Sequence, residues 1–225
     1  MTELKAIIFD MDGLLVDSET VYYEGTQQIA DEFGLPFTKE TYLAGLGISD
    51  EELHLFYHKL YDDQIGYQEV ERFIVVSYAH CVTLFQAGRA QLKSGARELL
   101  AFCHEKKIAT VVASSNSREL ITLLLEKTGI FNQFQAIFSV EDVHRAKPDP
   151  ALFLAAAKHL GYDKESLLVL EDSKNGLIAA NQAGIPVIMI PDLLPAPADV
   201  PVLTVLPQLD SVPAFLLKNY QFGDD

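Results

Sequence analysis

Near its start the chain runs Ala6-Ile7-Ile8-Phe9 directly into Asp10-Met11-Asp12-Gly13. Four consecutive apolar residues predict a strand buried on both faces, as in a parallel sheet. Two carboxylates two residues apart at its end are costly. Like charges that close resist joint ionisation unless a cation neutralises them. Mg²⁺ meets that need, because it takes a few oxygen ligands together with waters and a substrate phosphate. One Asp can then bind the metal and attack while the other handles a proton. The competing reading is a solvated turn, where Asp is common, and so short a motif does not decide between them. Gly13 lets the backbone turn away from the strand.

The stretch after Ser18 changes character. Residues 19–33 have helical periodicity, with Ser18 as the expected N-cap and Gly34-Leu35-Pro36 as the stop. Further helices are predicted at 39–43, from Ser49 to about Tyr61, and at 67–85, with no strand among them. From Ser94 on, helix and strand alternate. Ser94 is the expected cap of a helix over 95–105. Strands are expected at 108–113, 136–138, 167–170, 186–190 and 202–205, and helices at 117–127, 150–160, 174–182 and 209–217. Such alternation implies a doubly wound, Rossmann-like parallel sheet. The expected architecture is α/β, with residues 1–17 and 88–225 forming the core and 18–87 forming an all-helical insert.

Charge narrows the partners. The 225 residues carry a formal net charge of -15. A phosphate backbone needs a basic surface, so nucleic acid is not an expected partner, nor is an anionic membrane. Cys81 and Cys103, without a CxxC, read as reduced core thiols suited to a cytoplasmic protein. No signal peptide is expected, and no apolar stretch reaches the roughly 18 residues of a membrane span.

Open parallel sheets bind ligands outside the carboxyl ends of their strands. At those ends stand Asp10 and Asp12, then Ser114, Ser115 and Asn116, then Glu171 and Asp172. Lys147-Pro148-Asp149-Pro150 precedes a helix. Carboxylates for Mg²⁺, with hydroxyls and an ammonium for phosphate oxygens, therefore meet at one edge.

On these residues the chain resembles the haloacid dehalogenase superfamily, in its β-phosphoglucomutase-like and sugar-phosphatase branch. Asp10 to Ser18, Val111 to Ser114, Lys147 to Pro150, and Leu170 to Ser173 with Gly176 match its four motifs in order. The resemblance implies that Asp10 is the nucleophile and forms an aspartyl-phosphate, and that Asp12 is the general acid and base. It implies that the 18–87 insert is a helical cap. It implies that Asp10, the Asp12 carbonyl and Asp172 hold Mg²⁺, with Glu171 either a further ligand or the group that orients a metal-bound water. It also implies that Ser114 binds phosphate and that Lys147 holds Asp10 and the phosphate. Asn116 and Arg145 are weaker substrate-contact candidates. His54 and His58 lie four apart on a predicted helix without further zinc ligands nearby and read as structural.

The expected activity is hydrolysis of a small phosphate monoester by a monomer or weak dimer. Two alternatives stand beside it. A phosphosugar mutase of this branch typically has His where this chain has Tyr22, and Arg where it has Asp50. A non-catalytic Mg²⁺ and phosphate-binding module would not need both Asp10 and Asp12. The 18–87 segment holds twelve acidic residues against Lys39, Lys59 and Arg72, which disfavours substrates with a second anionic group. Gly45 to Ser49 resembles the specificity loop of the family.

Overall fold

In the computed structural model of the chain, residues 2–223 are described, apart from the side chain of Asp50. The comparison drawn above at Asp50 thus lies outside the described residues. A short strand β1 (Thr2–Glu3) precedes β2 (Ala6–Phe9). Four helices follow: α1 (Ser18–Glu32), α2 (Lys39–Ala44), α3 (Asp50–Ile65) and α4 (Tyr67–Gln86). The alternating part comprises α5 (Ala96–Glu105), β3 (Ala109–Ala113), α6 (Arg118–Lys127), β4 (Ala136–Phe138) and α7 (Ala151–Leu160). It continues with β5 (Leu167–Glu171), α8 (Lys174–Ala183), β6 (Val187–Met189), β7 (Thr204–Val205), α9 (Val212–Asn219) and β8 (Tyr220–Gln221).

Six of these strands form one parallel sheet in the order β4-β3-β2-β5-β6-β7. The doubly wound α/β fold expected from the alternation is the fold the chain adopts. β2 lies at the centre because it has no polar residue to keep wet: Ala6, Ile7, Ile8 and Phe9 are all fully buried. Ile8 is in register with Val111 on one side and Val169 on the other. Leu152, Phe153 and Ala156 of α7 and Leu177 and Ala180 of α8 pack into the same core cluster as these strands. Burying a side chain of this size stabilises by about 1.5–3 kcal/mol.

The chain divides into two compact units, one of residues up to Asp17 together with those from Gln91 on, the other Ser18–Ala90. Residues 88–90 go with the helices, beyond the boundary read at 87. The amides of Gly88 and Arg89 close back on the carbonyls of Phe85 and Leu84, so the end of α4 holds them. Two local readings are corrected. Ser94 does not cap α5, whose N-cap is Gly95 in the left-handed region at φ 84°. Ser18 lies inside α1 rather than before it. The two-stranded parallel sheet of β1 and β8 was not anticipated. Its two-residue strands are too short to carry a periodic signal.

The helical unit has its own core of Ile29, Ala30, Leu35, Phe37, Tyr57, Tyr61, Val70 and Phe73. Cys81 belongs to this unit and Cys103 to the other. Both are buried and unpaired, and burial pushes their thiols up to about 11 and about 12. His58 ties α3 to α4. Its Nδ1 lies 2.7 Å from Asp62 Oδ1, its Nε2 lies 2.7 Å from Glu71 Oε1, and its ring stacks on Tyr67. The hydrogen bonds to Asp62 and then Glu71 raise its pKa above the ordinary value. Because the folded value exceeds the unfolded one, this contribution is complete below pH ~6.5 and disappears as pH rises through the folded value. Wild type should therefore lose stability between pH 6 and pH 8 relative to His58→Gln. Urea midpoints across that range check this, and parallel curves would contradict it.

Candidate active site

β3, β2 and β5 run side by side, with Phe9 opposite both Val112 and Leu170. The residues that end these strands therefore leave the sheet at one edge. Asp10 follows β2, Ser114 follows β3, Glu171 ends β5 and Asp172 follows it. The ladder continues one residue past β2, since the Asp10 amide donates to the Leu170 carbonyl at 3.0 Å.

Lys147 enters from the loop before α7, and its side chain is only 5% exposed. Its Nζ donates to Asp10 Oδ1 at 2.6 Å, to Glu171 Oε1 at 2.7 Å and to the Ala113 carbonyl at 3.0 Å. An ammonium has three N–H donors, and all three are used. The charge also sits 4.7 Å from the centre of the Phe153 ring, a cation–π contact. The usual fate of lysine is the solvated surface, and here the core replaces it.

Glu171 is fully buried, and both of its carboxylate oxygens are engaged. Oε1 takes Lys147, while Oε2 accepts from the amides of Asp172 at 2.9 Å and Ser173 at 2.8 Å and from Ser173 Oγ at 2.9 Å. Ser173 also caps α8, accepting from the Gly176 amide at 3.1 Å. A side chain at Gly176 would overlap the Glu171 carboxylate. The glycine of the fourth motif is therefore a requirement for close packing.

Asp12 has a different set of partners. Its Oδ2 accepts from Ser114 Oγ at 3.0 Å and from Asn116 Nδ2 at 2.8 Å, and Ser114 Oγ accepts from the Asn116 amide at 3.1 Å. Ser114 is fully buried, whereas Ser115, His144 and Arg145 are exposed. Ser117 caps α6, accepting from the Leu120 amide. Two carboxylates two residues apart are thus held by unlike groups.

Burial pushes the Asp10 carboxyl well above the usual carboxylate range, and the nearby charges of Glu171 and Asp12 push the same way against Lys147. Burial works against the Lys147 charge too. The carboxylates of Asp10 and Glu171 outweigh it and hold the ammonium above its ordinary range. Asp10, Glu171 and Asp172 each offer an oxygen within 4.8 Å of the others. One buried ammonium among these acids leaves the edge strongly anionic, and the donors are all hard oxygens. That set fits Mg²⁺. Asp12 lies outside this group, with its carboxylate turned to Ser114 and Asn116.

Sequence reasoning passed over one acid at this edge. Asp192 follows β6 by three residues and pairs with Lys93. The signal was the one used for Asp10 and Glu171, an acid just past an apolar strand, but it was not applied beyond β5.

A parallel sheet with acids, a hydroxyl and a buried lysine at its carboxyl edge defines an α/β enzyme built to handle an anionic group. The sequence profile of the haloacid dehalogenase-like hydrolases matches residues 7–190, and the chain belongs to that family. A probable pseudouridine-5'-phosphatase of Drosophila melanogaster is 33% identical over 191 residues, covering 82% of this chain and 80% of that protein. Hexitol phosphatase B of Escherichia coli K12 is 31% identical, covering 84% of each. A haloacid dehalogenase family hydrolase from Deinococcus radiodurans shares the fold with a TM-score of 0.81, at 23% identity over 97% of both chains.

Proposed function

We propose that the protein is a Mg²⁺-dependent phosphatase that hydrolyses a small phosphate monoester, such as a sugar phosphate, through an aspartyl-phosphate on Asp10. The observation that carries this reading is the division of partners between Asp10 and Asp12. Asp10 is fixed by an ammonium, Asp12 by a hydroxyl and an amide. A nucleophile benefits from a held charge, whereas a proton carrier must change charge during the reaction.

An Asp10 oxygen attacks phosphorus, and the ester P–O bond breaks as Asp12 gives its proton to the leaving oxygen. Asp12 then takes a proton from water, which attacks phosphorus, releases phosphate and restores the Asp10 carboxylate. Lys147 keeps Asp10 fixed and offsets charge gathering on the phosphoryl oxygens. Ser114 and Asn116 aim Asp12, and for Ser114 to contact the phosphate as well its one hydroxyl hydrogen would have to turn away from Asp12. Asp10, Asp172 and the Asp12 carbonyl would hold Mg²⁺, with Glu171 orienting this set through Lys147 and the start of α8. When bound, Mg²⁺ supplies the positive charge that lets phosphate enter an acidic site. The relatives named for hexitol and pseudouridine phosphates support a sugar-bearing ester. The helical unit would act as the selecting cap. Its acidity, within a chain of net charge -15, favours esters without a second anionic group.

The test is phosphate release from p-nitrophenyl phosphate and a sugar-phosphate panel, with Mg²⁺ and with a chelator. Release with Mg²⁺ and none with chelator is expected. Silence on every ester would leave a binding module instead. Conversion of β-glucose 1-phosphate to the 6-phosphate without phosphate release would make it a mutase.

A further inference from the structure

Asp192 stands at the same sheet edge, and the reaction above gives it no task. Its side chain is 8% exposed. Lys93 Nζ donates to Oδ1. Oδ2 is buried, and no donor among the described residues reaches it. A buried carboxylate oxygen without a donor is unfavourable, so an arrangement that retains one calls for a reason.

Gly13 marks where that oxygen faces. A Cβ at Gly13 would lie 3.0 Å from Asp192 Oδ2 and 3.1 Å from Asp172 Cγ, and it would collide with Asp172 Oδ2. The carboxylates of Asp172 and Asp192 thus border one gap above the Gly13 backbone. Gly13 leaves that gap open, and its φ of +74° also disfavours any side chain there. Asp172 in turn belongs to the three-carboxylate group with Asp10 and Glu171.

Carboxylates only accept hydrogen bonds, so whatever lies between these two must donate. Mg²⁺ sheds its waters reluctantly and keeps several in protein sites. Groups that accept from a metal's ligands orient them and set its affinity. We propose that Asp192 is a positioning residue of the metal centre, whose Oδ2 accepts a hydrogen bond from a water of the Mg²⁺ shell beside Asp172. Lys93, by holding Oδ1, keeps Oδ2 turned toward the gap. This assignment rests on the Mg²⁺ reading above.

The experiment is calorimetric titration of Mg²⁺ into the metal-free full chain, with melting curves taken with and without Mg²⁺. Asp192→Asn keeps the shape. The Lys93 ammonium draws the amide oxygen to itself, so the NH₂ faces the gap and a donor replaces an acceptor. The Kd for Mg²⁺ should rise about tenfold, and the Mg²⁺-induced rise in Tm should shrink. A role confined to the Lys93 ion pair would lower the metal-free Tm and leave the Kd alone. Lys93→Gln supplies an independent readout should Asp192→Asn fold poorly. By charge alone, losing a cation tightens Mg²⁺ binding, whereas loss of the aim on Asp192 weakens it, and weakening is expected. Wild-type binding with an unchanged Kd in both variants overturns the role of Asp192 and leaves the metal reading standing. No Mg²⁺ binding by wild type overturns the metal reading itself.

Discussion

Asp10→Asn is expected to lower phosphate release by about 10⁴- to 10⁶-fold, the scale on which loss of a covalent nucleophile falls. The amide keeps the volume, and its oxygen can still accept from Lys147, so the geometry of the edge survives. What is lost is the nucleophile, since an amide oxygen does not attack phosphorus at a useful rate. The same change should not lower the melting temperature of the metal-free protein. Asp10, Glu171 and Asp172 crowd within 4.8 Å of one another around one buried ammonium. Removing one negative charge relieves that crowding, and Lys147 keeps its bond to Glu171. Single-turnover phosphate release and melting curves check both halves. Activity within tenfold of wild type would remove Asp10 from its role.

Lys147→Met carries the largest expected cost in stability, about 3–5 kcal/mol in the metal-free protein. Methionine fills much of the same space, so the cost is electrostatic rather than a cavity. Asp10 and Glu171 would face each other in the core with no counter-charge. The deficit should narrow as pH falls, because protonating Asp10, whose carboxyl burial already pushes up, removes the repulsion that the lysine offsets. It should also narrow when Mg²⁺ is added, since a cation replaces part of the missing charge. Lys147→Arg should not restore the wild-type midpoint. A compact ammonium matches three acceptors converging on one nitrogen, and a planar guanidinium fork does not. Urea midpoints at several pH values, with and without Mg²⁺, measure this. A Lys147→Met protein as stable as wild type at neutral pH would show that the acids do not depend on this ammonium.

Much of the site was legible because its residues are placed by local rules. A buried strand followed by acids is visible in Ala6 to Asp12, and again in Leu167 to Asp172. Parallel alternation puts those strand ends on one edge whatever the strand order is. Lys147 was legible as a candidate, but its burial was not. Its three acceptors come from residues 34, 137 and 24 positions away, and no local pattern carries such information. The same holds for the Ser114 and Asn116 contacts to Asp12, which span 102 and 104 residues. Asp192 carries the same local signal, an acid past the apolar strand β6, but Pro191-Asp192 fits an ordinary turn equally well, and no local pattern separates the two.

The amino-acid sequence by itself determined the fold class, the helical insertion and the identity of the acids at the strand ends, because hydrophobic period and chain order suffice for these. Only the tertiary structure decided which partner each acid has. Asp10 and Asp12 are near-identical in sequence context. They differ because β5 and the Lys147 loop reach one, while β3 and the start of the loop after it reach the other. Charge, hydrogen bonding and burial act over a few ångströms in space, and folding sets those distances between residues far apart in the chain.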